Sequence, residues 1–102
     1  MTNDIIQTID EIIEFLENLN LRSWADKYAN WRQEIITNRN DAEKLEAIYR
    51  QLYVASAPRG FLGDYPITSS IKGKFNYEAT ETRRRDLVDK MITQLEVVGI
   101  KV

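Results

Sequence analysis

The sequence predicts an all-α protein: one small four-helix bundle with a long ordered loop between its third and fourth helices. Three observations carry this reading. Apolar residues recur at three- and four-residue spacing in four separate stretches. Both prolines and three of the four glycines fall within 58–73, so the helix breakers gather in a single interruption. Finally, 102 residues make one domain, 1–102, and 43% hydrophobic content is enough for a core without metal or disulfide staples.

The first helix is expected over about 3–19, where Ile5, Ile9, Ile12, Ile13, Leu16 and Leu19 fall within roughly a third of the helical circle. Asp10, Glu11, Glu14 and Glu17 lie off that arc and read as a solvated acidic face. Asn3 is the expected N-cap, and Asp4 suits the positive end of the helix dipole.

The second helix is expected over about 23–37, with Ser23 as N-cap and Asp26 three residues on, in the manner of a capping box. Its stripe is Trp24, Tyr28, Trp31 and Ile35, which points both tryptophans inward as core rather than as a ligand-stacking box. The third helix, about 41–56, opens at Asn40 or Asp41 and carries Leu45, Ile48, Tyr49 and Leu52, widened by Ala42 and Tyr53. It ends before Pro58, which disfavours helical geometry in the residue preceding it.

The fourth helix, about 79–98, shows Leu87, Val88, Met91, Ile92, Leu95 and Val98. Gly99 then reads as the residue just past a helix end, with Ile100 folding back on Leu95. A short strand over "VVGIKV" is the competing reading. Short connections make the first three helices antiparallel neighbours.

The loop, about 57–78, is unusually long for a compact domain. It carries Phe61, Leu62, Tyr65, Ile67, Ile71, Phe75 and Tyr77, more apolar surface than a linker needs. Its second half, "ITSSIKGKFNY", has turn residues placed for a small hairpin.

Composition excludes several chemistries. There is no cysteine, so no disulfide or thiolate metal site can form. There is no histidine, which removes the Ser-His-Asp triad, the usual imidazole metal ligands and the commonest general base near neutral pH. No phosphate-binding signature appears, and neither a cofactor, a metal nor a catalytic residue is expected. No run reaches membrane-spanning length, and no basic residue precedes Arg22, so a cytoplasmic protein without a secretory signal is expected.

Net charge is −2, but it is unevenly spread: residues 1–21 carry acids only, while 59–85 is basic. In "PRGFLGDYP", Gly60 and Gly63 allow tight turns, and Arg59, Phe61, Asp64 and Tyr65 form a candidate recognition surface on a rigid scaffold. Lys72 and Lys74 among aromatics, followed by the Arg83–Arg85 run, offer an alternative: stacking and phosphate contact with single-stranded nucleic acid. Arg84 projects over the apolar stripe of the fourth helix and is expected to pair with Asp64 or an acid of the first helix.

The order "SWADKYANW", "LEAIYRQLY", "GFLGDY" and a final helix resembles a group of small uncharacterised bacterial helical proteins. They carry a Gly-x-x-Gly-type turn before the last helix, and the resemblance covers residues 24–67. Pro58 and Arg59 before the turn, and Asp64 directly after Gly63, depart from that pattern. The resemblance implies a bacterial cytoplasmic domain, of a sort that includes immunity proteins and protein-binding regulators.

The function expected is therefore a non-enzymatic protein–protein interaction module, immunity-like or regulatory, binding through residues 58–77 and the start of the fourth helix. The partner is another protein; there is no membrane partner, and a homodimer is the further option. Nucleic-acid binding through 72–85 is the alternative, and a carboxylate- or metal-dependent enzyme is the third.

Overall fold

The structure, a computed structural model, describes residues 2–56 and 77–100, with side chains over 4–56 and 79–100. Four helices make up the fold: α1 (Thr2–Asn18), α2 (Arg22–Thr37), α3 (Ala42–Ser56) and α4 (Tyr77–Val97). Among the described residues there is no strand. Residues 57–76, which hold most of the expected loop and hairpin, lie outside those described; Tyr77 and Glu78, expected in the loop, instead form the first residues of α4.

α1 folds as its pattern predicts. Ile5, Ile9 and Ile12 are fully buried, with Leu16 and Leu19 close behind. Burying each fully contributes roughly 1.5–3 kcal/mol before chain entropy is subtracted. The buried arc is wider than the stripe, because α1 has a neighbour on each flank. Thr8 and Phe15, off the isoleucine line, are also buried. The helix is already formed at Thr2, so Asn3 lies within its first turn.

The α1–α2 turn is tighter than expected. The Leu21 N–H donates to the Leu16 carbonyl (2.9 Å) and the Asn20 N–H to Glu17 (3.0 Å), with Asn20 left-handed at φ 60°. That is a Schellman stop with asparagine in the position usually held by glycine. Leu21 is at once the last residue of this stop and the N-cap of α2, where it makes no side-chain cap. Ser23, the expected cap, therefore lies inside the helix.

α3 starts where expected: the Asp41 side chain accepts from the Lys44 N–H at 3.1 Å. α4 ends where expected: the Ile100 N–H donates to Leu95, the Gly99 N–H to Glu96, and Gly99 has φ +95°. Ile100 is buried, so the residue past the stop completes the core rather than starting a strand.

The interhelical bonds fix the directions. Along α2 and α3, Tyr28 meets Ser56 and Trp31 meets Gln51. Along α1 and α4, Thr8 meets Gln94 and Glu11 meets Lys90. One number rises as its partner falls, so both pairs are antiparallel. The start of α3 shares a cavity with the end of α4. The helices alternate up and down, and their axes approach around the ring α1–α2–α3–α4 but not across its diagonals. α1 and α2 lie closest; α2 and α3 approach least. Trp31 and Tyr28 are bulky α2 residues that meet α3.

Candidate binding groove

Where α2 and α3 diverge, an open groove of about 540 Å³ runs along the surface. Trp24, Lys27 and Trp31 of α2 face Arg50, Gln51, Val54 and Ala55 of α3 across it. The volume falls in the range of ordinary ligand clefts.

Two polar contacts join the helices here, and the first of them lines the groove. Trp31 is nearly buried, and its indole N–H donates to Gln51 Oε1 at 2.9 Å. Deeper in, the Tyr28 hydroxyl and the Ser56 hydroxyl lie 2.9 Å apart, both fully buried. Burial pushes the Tyr28 phenol up to about 12, with the Ser56 contact partly opposing it. The Tyr28 and Trp31 rings meet edge to face, 5.0 Å between centroids at 87°. These contacts tie α2 to α3 beside the groove.

The walls are apolar. Trp24, expected wholly inside, is only half-buried, and Lys27 Nζ stands over its ring 4.7 Å from the centroid. Val54 is 61% exposed; Val97, at the far end of α4, is the other large hydrophobic residue so exposed among those described.

The residues singled out from the sequence fare differently. Arg59, Phe61, Asp64, Tyr65, Lys72 and Lys74 lie outside the described residues. Arg84 is described and mostly buried, with its guanidinium 2.6 Å from Glu81, one helical turn back on α4. Of its expected partners, Asp64 lies outside the described residues, and among the acids of α1 Glu11 lies 2.8 Å from Lys90 and 3.6 Å from Arg83. The hydrogen bond from Lys90 holds the Glu11 carboxyl below its usual range; burial opposes this, and the charges of Lys90 and Arg83 add to it. Asp10 is likewise taken, by Arg32 at 2.6 Å. The acidic face of α1 is thus partly spent on its flanking helices, leaving Glu14 and Glu17 exposed.

The groove has no signature in the spacing, because Trp24 belongs to the same stripe as Tyr28 and Trp31. The available signal was Val54, an apolar residue off the α3 stripe. Among the described residues no carboxylate group is placed to hold a metal ion, and no helix is long and apolar enough to cross a membrane. Comparison with protein-family models, with curated proteins and with solved structures finds no match.

Proposed function

We propose that the protein is a non-enzymatic protein-binding module, regulatory or immunity-like in kind, and that the α2–α3 groove is a docking surface for its partner. One observation carries this reading: a mainly apolar groove whose two sides are tied by the part-buried Trp31–Gln51 hydrogen bond and whose α3 side exposes Val54. An apolar residue open to water on a helix tied to its neighbour is what an interface anchor needs, since little ordering entropy remains to be lost on binding. The groove's upper end lies where α3 hands over to residues 57–76, so the surface expected from the sequence adjoins it along the chain. The pKa shifts of Tyr28 and Glu11 both have structural causes within the bundle.

Both tryptophans of the chain line the groove, so binding there is read by intrinsic fluorescence. The test is a displayed random-peptide library panned on the wild-type protein, with clones rescored on Val54→Gln and Val97→Gln. The two valines are similarly exposed, 61% and 65%, at different places on the bundle. Groove-directed clones shift the tryptophan emission and lose binding to Val54→Gln only. If every clone treats the two variants alike, the groove is not the docking surface.

A further inference from the structure

The polar groups of the groove say what it would accept. The Lys27 ammonium and the Arg50 guanidinium can only donate, and the Trp31 indole N–H is already given to Gln51. The remaining polar side chain is Gln51. An indole can only donate, so the Gln51 carbonyl oxygen must face Trp31, and its amide N–H groups are what remains for an occupant. The groove is therefore an apolar trough rimmed by donors, its one side-chain acceptor already engaged.

Arg22, Lys27, Arg39, Lys44 and Arg85 have no carboxylate within ion-pair distance among the described residues, and of these only Lys27 lines the groove. Arg50 is paired within α3 to Glu46 at 2.9 Å. On the α1–α4 seam, Arg83 and Lys90 are matched with Glu11. Lys27 has an aromatic face beneath it and no carboxylate within ion-pair distance among the described residues. A cation resting on an indole, beside apolar walls, is placed to receive an anion while its stem covers hydrophobic surface.

Resting on the protein-binding reading, we infer that the groove recognises an amphipathic helix of a partner protein bearing an acidic side chain beside its apolar anchor, with the acid seated at Lys27. Two antiparallel helices offer a straight trough and, among the described residues, no sheet edge, so recognition is by helix in groove rather than by strand addition. The apolar anchor packs on Val54 and the Trp24 ring, and the acid fixes its register.

The test uses the library above, with the groove-dependent clones synthesised as peptides. They are expected to carry Asp or Glu within one helical turn of a large apolar residue. Lys27→Glu is expected to weaken them about tenfold, and changing the peptide acid to Lys to restore most of that loss. Lys44→Glu, on the exposed face of α3 outside the groove, is expected to change affinity far less. Lys27 is exposed, so its substitution leaves the fold intact. If groove-dependent peptides are neutral or basic, or Lys27→Glu acts no more strongly than Lys44→Glu, the acidic specificity is wrong and the docking surface stands. If no peptide depends on Val54, both fall together.

Discussion

Tyr28 shows how a single polar atom ties α2 to α3. Its ring lies in the core, and its hydroxyl has one described partner, the equally buried Ser56. Tyr28→Phe deletes that bond and leaves the Ser56 hydroxyl without it, at a cost of about 1–2 kcal/mol in urea unfolding. Ser56→Ala has the mirror effect, and the double variant is expected to lose less than the two singles together, because no orphaned group remains. Strict additivity would show that the two hydroxyls are not coupled. The same burial gives a pH signature. The folded phenol releases its proton near 12 rather than at 10.0, so the folded state favours the protonated form. That stability is whole below about pH 10 and declines as pH rises toward 12. Tyr28→Phe is expected to flatten this alkaline decline.

Helix ends were legible in the sequence to unequal degrees, for reasons of backbone geometry. Gly99 could be read as a stop because glycine enters the left-handed region without a Cβ penalty, and it has φ +95°. Asn20 does the same work at φ 60°, yet asparagine is also common in caps and turns, so its role is unspecific from sequence. Missing that stop misplaced the α2 cap by two residues. The pair yields opposite expectations by thermal or urea unfolding. Gly99→Ala is destabilising by about 1 kcal/mol through backbone strain alone, since its added Cβ meets nothing within 4 Å. Asn20→Gly is stabilising by about 0.5 kcal/mol, because glycine relieves the residual strain at that position. If Gly99→Ala is neutral, α4 does not end in this stop. The helix interiors were legible because helical periodicity reports burial directly. The groove was not, because periodicity shows which residues share a face and not how far apart two faces sit. Trp24 and Trp31 share one stripe, yet only Trp31 lies deep enough to be buried.

At the scale of the whole molecule, the alternating ring lets a connection much shorter than residues 57–76 join α3 to α4. α3 and α4 are antiparallel neighbours, so Ser56 and Tyr77 end and begin helices at the same end of the bundle. Axes of packed helices lie roughly 8–10 Å apart, and such neighbours are joined by about 2–8 residues. The chain has twenty between Ser56 and Tyr77. Long insertions cost little loop entropy, so their persistence is no argument for a folding role. The core of the described residues draws on all four helices. Replacing 57–76 with a Gly/Ser linker of about six residues is therefore expected to keep the helical circular dichroism signal and a single cooperative unfolding transition. Panning the shortened protein then separates the two binding surfaces. Val54-dependent peptides retained at full affinity locate docking in the groove alone. Their loss from a protein that still folds assigns part of the interface to residues 57–76. A shortened chain that fails to fold cooperatively would show that those residues supply core, and that the four helices do not close a bundle by themselves.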